Sequence, residues 1–451
     1  MRPSVSSTPS PKIGSAHPEL IFEIGINERV PFAQAVLLGL QNVFGMTGMF
    51  VFPALLGLSF HLPAEQIAYI YGMTFIACGV CTILQSAFLL RLPVVQGPYA
   101  GSFGAILAIG HVDGAGLAAA YGSFFVAALI WCAVSIPIRG HSGIGLLARF
   151  ISTPLISGMT VMLIIVQIAS VSLPNWIGQS SSPGFPMVNL MSGAVAVAAI
   201  VAIIRWGGRW LRRGAILIGL ALGTICYTLF RPVTFAAVAA APMVVEPHLF
   251  PFGFMVSPDL VLIFLLVLLA ASTGSMALYK TVADWGGESL SPGRMAEGVF
   301  GAAVGAVVAA LFGGFSTIVY PDNLGMLRTT RVGSRYATLS AGILLILLGG
   351  CVKFDMLLVV VPSPVISAVA TLLFGVVFMH GVSMLAKVEW DDRSLIAAGL
   401  GFLVGLGGLF ISPDALKAMP LIARLILQQP VISGGLTLML LYAVLRGKAS
   451  A

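Results

Sequence analysis

A chain of 451 residues that is 58% hydrophobic and only 9% charged is too apolar for a soluble globular protein. Its mean hydropathy of +1.03 and its long apolar runs predict an all-α polytopic membrane protein, with no window left for a soluble catalytic domain. The formal net charge of +7 comes from basic residues in short loops. Membrane orientation accounts for such residues, so we expect no nucleic-acid partner.

A Ser- and Pro-rich stretch at residues 1–15 is expected to be a cytoplasmic tail, and an amphipathic lead follows it. Fourteen transmembrane segments come next, at about residues 32–57, 65–90, 94–110, 116–138, 150–173, 188–204, 215–230, 260–278, 296–315, 316–330, 337–350, 357–380, 394–411 and 429–445.

Loop charge supports this count. With the amino terminus inside, 19 of the 23 Lys and Arg residues fall on the cytoplasmic side, which leaves only Arg231, Lys353, Lys417 and Arg424 outside. Cytoplasmic loops are expected to hold such an excess. We therefore expect a multi-pass protein of the cell inner (plasma) membrane, in contact with the lipid bilayer and with both termini in the cytoplasm.

Two of the segments, the third at 94–110 and the tenth at 316–330, are interrupted by Gly and Pro. They occupy matching places in two halves of seven segments and run in opposite directions. Interrupted segments at corresponding positions indicate inverted repeats with a binding site between them at the bilayer midplane. We expect a short extended stretch in each, since such backbone is tolerated where it faces protein or a cavity.

Asp322 lies in the tenth segment, within the run Y-P-D-N-L-G-M-L-R-T-T-R-V-G-S-R. Placing an ionisable group at bilayer depth costs roughly 2.5–3.5 kcal/mol on insertion scales, so Asp322 is a functional-site candidate. The alternative is that Asp322 only caps the helix that starts at Pro321, and the two roles are compatible.

The run from Asp322 to Arg331, D-N-L-G-M-L-R-T-T-R, resembles the signature of the nucleobase/ascorbate transporter family. In that signature Gln, Glu or Pro precedes N-x-G-x-x-x-x-T and then Arg, Lys or Gly. The first segment is similar to the family's lead ending in Gln-His, with Asn42 in place of His. Val95 to Ser102 resembles its broken third segment, and A-A-V-A-A-A-P and F-P-F-G-F in the external loop also match. The resemblance covers nearly the whole chain.

The resemblance implies fourteen segments in 7+7 inverted repeats, divided into a core domain and a gate domain. The implied divisions are residues 1–30 (tail and lead), 31–140 (core, segments 1–4), 141–257 (gate, segments 5–7 and external loop), 258–352 (core, segments 8–11) and 353–451 (gate, segments 12–14). Members are typically homodimers that move a planar nucleobase with a proton or sodium ion by an elevator-like shift of the core. The chain is thus expected to be a proton-coupled symporter.

The family's eighth segment usually offers E-x-x-G followed by Asp or His, and here the matching run is A-S-T-G-S. Ala271 stands at the Glu position and Ser275 at the Asp or His position. A buried site that bonds particular groups strongly rejects analogues that lack them. The substrate is therefore expected to be an unusual nucleobase-like heterocycle or another small planar compound.

Asp322 is expected to accept hydrogen bonds from the substrate and to carry the coupling proton. Asn323 is expected to hold the two broken segments together, or else is an ordinary helix-start residue. Tyr99 offers a ring for stacking and a hydroxyl for hydrogen bonding, although interfacial and core tyrosines are common. Ala100, Ser275, Ala271 and Gln96 complete the predicted substrate-binding set, to which backbone N–H groups near Tyr99 and Asp322 contribute.

Two other functions compete with a nucleobase importer. An anion transporter or channel with the architecture of sulfate permeases is disfavoured by the acidic Asp322. An intramembrane enzyme is disfavoured because no nucleophile and base pair is evident. No cofactor or metal is expected: Cys78 and Cys81 are three residues apart but have no second pair or nearby His.

Overall fold

The computed structural model describes residues 20–44, 46–110, 116–137, 153–178, 180, 184–208, 211–212 and 214–445. The tail predicted at residues 1–15 lies outside these ranges. In chain order the α-helices are α1 (Phe32–Phe44), α2 (Phe52–Phe60), α3 (Ala64–Ile83), α4 (Ala100–Gly110), α5 (Gly116–Ser135), α6 (Pro154–Ile177), α7 (Met187–Trp206), α8 (Ala215–Thr228), α9 (Ala236–Ala240), α10 (Pro258–Trp285), α11 (Pro292–Phe312), α12 (Pro321–Thr330), α13 (Arg335–Gly349), α14 (Val352–Val359), α15 (Ser363–Leu385), α16 (Asp392–Gly408), α17 (Pro413–Lys417), α18 (Leu421–Leu427) and α19 (Pro430–Leu445).

Two short strands, β1 (Gln96–Pro98) and β2 (Thr317–Val319), lie in the third and tenth predicted segments. They form an antiparallel pair in which Gly97 is opposite Ile318. The interruptions predicted from Gly and Pro are therefore observed as extended backbone, and each strand runs directly into a short helix.

Apolar helices make up most of the described chain. Those long and apolar enough to cross a membrane are α5, α7, α10, α11, α15 and α3 together with the π-helical turn Leu84–Phe88 that extends it. Large apolar side chains such as Leu403, Leu440 and Val444 are exposed on the outer helices, as lipid contact requires. The prediction of a helical, multi-pass membrane protein is confirmed.

The first predicted segment, 32–57, is wrong as a single helix. Helix α1 ends at Phe44, a 3₁₀ turn covers Thr47–Phe50, and α2 begins at Phe52. Pro53 occupies the first turn of α2, where proline is favoured because its missing N–H is not needed.

Glycines set the distance between α3 and α13. A Cβ on Gly79 would lie 2.6 Å from the carbonyl oxygen of Gly342, and one on Gly72 would lie 2.6 Å from that of Gly349. Each of these contacts is reciprocal, and the glycines are seven residues apart on both helices. Small residues thus let the two backbones approach closely, as is common between membrane helices.

The extensive helix contacts fall into two groups. In the first group α3 packs along α13, α5 packs along α11, α1 packs on α13 and α10 packs on α5. In the second group α6 packs along α15, α7 packs along α8 and α16 packs along α19. The strand pair lies within the first group, where β2 also contacts α10 and β1 contacts α3.

Candidate functional site

The candidate site is the place where β1 and β2 cross. Beyond the paired residues, the Tyr99 N–H donates to the Ser316 carbonyl at 2.7 Å and the Tyr320 N–H donates to the Val95 carbonyl at 3.0 Å. Helix α4 starts at Ala100 and α12 at Pro321, so both helices begin at the crossing. The first N–H groups of a helix lack intrahelical partners and carry a partial positive charge. The crossing can therefore bind a hydrogen-bond acceptor or an anionic group.

Local sequence explains why the backbones can meet here. A Cβ on Gly97 would overlap the ring of Tyr320, and one on Gly101 would lie 2.5 Å from the ring of Tyr99. The absence of side chains at these two glycines lets both aromatic rings lie against the backbone. Tyr99 is buried as a result, with 2% of its surface exposed.

Helix α10 forms a third wall of the site. The Val319 N–H of β2 donates to Oγ of Ser275 at 3.4 Å. Ala271 lies one turn earlier on the same helix, and both residues are buried. The run A-S-T-G-S therefore packs directly against β2.

Several buried polar atoms around the crossing have no hydrogen-bond partner among the described residues. They are both amide atoms of Gln96, the Tyr99 hydroxyl and Oγ of Ser316. Leaving such an atom buried and unpaired costs about 1–3 kcal/mol, so native proteins pair nearly all of them. Their grouping here points to a polar species that these side chains bind.

Asn323 does not link the two broken segments, and that prediction is wrong. Its Nδ2 donates to Oδ1 of Asn42 on α1 at 3.1 Å, and Nδ2 of Asn42 donates to the Leu38 carbonyl at 2.8 Å. Asn323 lies in the first turn of α12, from which its side chain reaches the first segment instead of β1. Asn42, at the position where the family has His, is therefore the partner of Asn323, the Asn of the family signature.

Asp322 lies beside Asn323 in the first turn of α12, but its side chain is outside the described part of the structure. The N-cap of this helix is Tyr320, which makes no side-chain cap. Asp322 lies two residues after the N-cap position and is therefore not the cap. The crossing brings the start of α12, and so Asp322, close to three other predicted residues. These are Gln96 in β1, Tyr99 after it and Ala100 at the start of α4.

A buried polar cluster beside the site was not predicted. Nε2 of Gln85, in the π-helical turn, donates to the Tyr279 hydroxyl at 3.1 Å and to the Gly298 carbonyl at 3.0 Å. The Thr82 hydroxyl accepts from the Gln96 N–H at 2.9 Å. The sequence feature that could have predicted this cluster is the presence of Gln85 and Tyr279 within long apolar runs. The Thr82 bond fixes β1 against α3 and so positions Gln96, while Gln85 joins the end of α3 to α10 and α11.

An open cavity of about 660 Å³ lies elsewhere, at the start of α3 and beneath residues 237–252. Its polar wall includes Glu65, Tyr69 and His248. None of the predicted site residues lines it.

Comparison with known proteins identifies relatives over most of the chain. The family model Xan_ur_permease, described as "Permease family", matches residues 33–413. The uric acid permease PucK of Bacillus subtilis is 27% identical over 426 residues, covering 92% of this chain and 96% of the relative. The xanthine permease XanQ of Escherichia coli is 26% identical over 457 residues and covers 96% of each chain.

Solved structures show the same fold at low identity. The transmembrane domain of the cyanobacterial bicarbonate transporter BicA matches with a TM-score of 0.52 at 16% identity, over 92% of this chain and 99% of that domain. The murine anion transporter Slc26a9 in its inward-facing state matches with a TM-score of 0.58 at 14% identity, over 93% of this chain and 69% of its own. These matches describe the helix arrangement alone.

Proposed function

The chain belongs to this permease family, the nucleobase/ascorbate transporters, and from that premise we propose that it is a proton-coupled symporter of a nucleobase or nucleobase-like heterocycle. It is a transporter and not an enzyme, as predicted. The observation that carries the substrate proposal is the group of buried, unpartnered polar atoms at the crossing of β1 and β2. A planar ring with several N–H and C=O groups matches such a set.

The roles at the site follow from chemistry. The Tyr99 ring offers a stacking surface, while its hydroxyl and the Gln96 amide offer both donors and acceptors. The starts of α4 and α12 offer N–H groups to carbonyl oxygens of the ring. Asp322 accepts ring N–H groups and carries the coupling proton. It thereby replaces the Glu that the family usually has at the position of Ala271.

Substrate choice is expected to differ from that of relatives with the acidic clamp. Ala271 adds no polar group to the site, and the Ser275 hydroxyl is already engaged by the Val319 N–H. A ligand that needs two carboxylates would lose a partner here. We therefore propose a ring that bonds one carboxylate and several neutral groups.

The fourteen-segment inverted repeat is supported by the pattern of helix packing. A shift of seven segments converts the α3 and α13 pair into the α11 and α5 pair, and the α7 and α8 pair into the α16 and α19 pair. It also converts α1 on α13 into α10 on α5, and leaves the α6 and α15 pair and the strand pair unchanged. Packing that repeats under this shift is what two repeats of opposite orientation would produce.

The two packing groups support the proposed division into a core and a gate. Helix α14 packs on α3 and α13 of the first group, so we place the boundary after Val359 and not at residue 353. Stacked rings bridge the groups: Phe52 lies 5.1 Å from Phe103 and 6.2 Å from Phe374 on α15, centroid to centroid. An apolar contact between aromatic rings has no directional hydrogen bonds to break, which is compatible with an elevator-like movement of the core along the gate.

Orientation and assembly complete the proposal. The excess of Lys and Arg in alternate loops supports cytoplasmic termini in an inner membrane. A homodimer formed through the gate would hold that domain fixed while the core moves.

Uptake into proteoliposomes tests the function. The labelled panel is uracil, xanthine, uric acid, guanine, adenine and hypoxanthine, each with an inward proton gradient, an inward sodium gradient or no gradient. Accumulation of at least one base above equilibrium, driven by the proton gradient alone, is the expected result. Sodium-driven accumulation would overturn the choice of ion. Bicarbonate- or sulfate-dependent currents without base uptake would overturn the substrate class.

A further inference from the structure

Asp355 is a buried carboxylic acid remote in sequence from the candidate site. It lies on α14, a two-turn helix that precedes α15, and only 1% of its surface is exposed. Its Oδ2 lies 2.8 Å from the position that a Cβ on Gly72 would occupy. Any other residue at Gly72 would collide with the carboxyl group, so α3 provides a close-fitting place for it.

Neither carboxyl oxygen of Asp355 has a hydrogen-bond partner among the described residues. The Tyr71 hydroxyl on α3 is committed elsewhere, because it donates to the Phe50 carbonyl at 2.7 Å. The ion pairs in the described part, between Arg294 and Glu288 and between Arg331 and Glu23, do not involve Asp355.

The titratable groups that interact with Asp355 are the Tyr71 hydroxyl from α3 and the Cys351 thiol at the start of α14. Neither group is a cation. Glu246 and His248 line the cavity beside Val352 and Met356 of α14, and neither forms an ion pair with Asp355 in the described structure. Helix α9, which also packs on α14, contains only Ala and Val. The charged residue of α13, Arg335, is at its opposite end, and Lys353 on α14 itself forms no ion pair with Asp355 in the described structure.

An ionised carboxylate in these surroundings would lose its hydration and gain no compensating partner. The neutral acid loses far less, so burial favours the bound proton. Burial, with a smaller contribution from Cys351, raises the pKa of Asp355 from 3.8 to about 9.

Asp355 lies in a connection between the two packing groups, which move relative to each other in the proposed transport cycle. Two chain connections join the packing groups on this side, residues 231–257 and 350–362, and they pair with each other. The Val245 N–H donates to the Gly350 carbonyl at 3.0 Å, and the Val352 N–H donates to the Met243 carbonyl at 3.3 Å. We refer to them as the paired connections. Both connections lie on α3: α14 packs along it, and the His248 N–H donates to the Tyr69 hydroxyl at 2.9 Å.

We propose that Asp355 is a proton-binding site, separate from Asp322, that holds its proton while the paired connections lie on α3 and releases it to external water when this contact opens. The O–H bond of the acid breaks and the proton passes to water, which leaves a hydrated carboxylate. The link to opening rests on the proposed transport movement, whereas the bound proton does not.

Infrared difference spectroscopy of the full-length protein in lipid nanodiscs tests the bound proton directly and needs no substrate. At neutral pH, the spectrum of the wild type minus that of Asp355→Asn is expected to contain the carbonyl band of a protonated carboxylic acid. The band should lose half of its intensity near pH 9 and disappear at higher pH. Asp322→Asn removes the other candidate acid and should leave this band in place. If the spectrum at neutral pH contains no band that depends on Asp355, the proposal is overturned, whatever the outcome of the uptake assay.

Thermal unfolding across pH gives a second measurement. Because the folded-state pKa lies above 3.8, the folded protein holds a proton that the unfolded chain has released, and stability falls as pH rises between roughly pH 4 and pH 9. Asp355→Asn, which mimics the neutral acid, should flatten the fall in Tm, while the exposed neighbour change Glu65→Gln should not. A wild-type slope retained in Asp355→Asn, or a Tm of the wild type raised by sodium but independent of pH, would overturn the proposal.

Discussion

Replacing Asn323 by Ala should destabilise the protein through the partner that it leaves behind. The side chains of Asn323 and Asn42 are 1% and 5% exposed, and the Nδ2 to Oδ1 distance is 3.1 Å. Removing Nδ2 leaves Oδ1 of Asn42 buried without a donor, which costs about 1–3 kcal/mol. Asn42→Ala should cost a similar amount, since Nδ2 of Asn323 then loses its side-chain acceptor.

The double variant separates this pair from general loss of packing. When both side chains are removed, no unpaired atom remains between them, so the double variant should cost less than the two single changes together, by about 1 kcal/mol. Free energies of unfolding from denaturant titration in mixed micelles measure the difference.

A matched pair controls the cycle. Asn189 is also buried and donates to the Ile177 carbonyl at 3.1 Å, away from the crossing. Asn323→Ala combined with Asn189→Ala should be additive within about 0.3–0.5 kcal/mol, as distant sites are. Additivity of the Asn42 and Asn323 changes to the same tolerance would refute the assignment of this hydrogen bond.

Three further predictions test the packing and the site. Gly79→Ala should cost about 1–3 kcal/mol, because the new Cβ would lie 2.6 Å from the Gly342 carbonyl, while Gly375→Ala, with open space around it, should be neutral or stabilising by up to about 1 kcal/mol. Equal effects in the same titration would contradict the packing. Tyr99→Phe should raise Tm, since it removes a buried hydroxyl that has no described partner, yet weaken substrate binding by about 5-fold to 100-fold; unchanged affinity would count against a role for the hydroxyl. Ser275→Ala should lower both Tm and uptake, because it removes the acceptor of the Val319 N–H. Ser275→Thr keeps a hydroxyl and should retain both. An uptake rate that Ser275→Ala leaves unchanged would remove this residue from the site.

The breaks in the third and tenth segments could be predicted because Gly and Pro mark them in otherwise apolar runs. Pro98 ends β1 and Pro321 starts α12, and neither residue fits the interior of a spanning helix. The same signal was present in the first segment at Pro53. There the run on both sides is equally apolar, so hydropathy alone favoured one continuous helix.

The partner of Asn323 could not be predicted from sequence. Asn42 is 281 residues away along the chain, and nothing in the local pattern of either helix determines which residue lies opposite. Gln85 and Tyr279 meet for the same reason, through the packing of helices within the first group. Local patterns place backbone breaks and helix starts, whereas contacts between segments depend on the complete packing arrangement.

The most direct test of the transport account compares two assays on Asp322→Asn in proteoliposomes. Equilibrium exchange of labelled for unlabelled substrate needs only binding and movement of the core, whereas accumulation above equilibrium also needs the coupling proton. The account predicts that Asp322→Asn retains exchange, because its amide oxygen still accepts a ring N–H, and loses accumulation driven by an inward proton gradient, because the amide carries no titratable proton. Accumulation by this variant with the pH dependence of the wild type would contradict it.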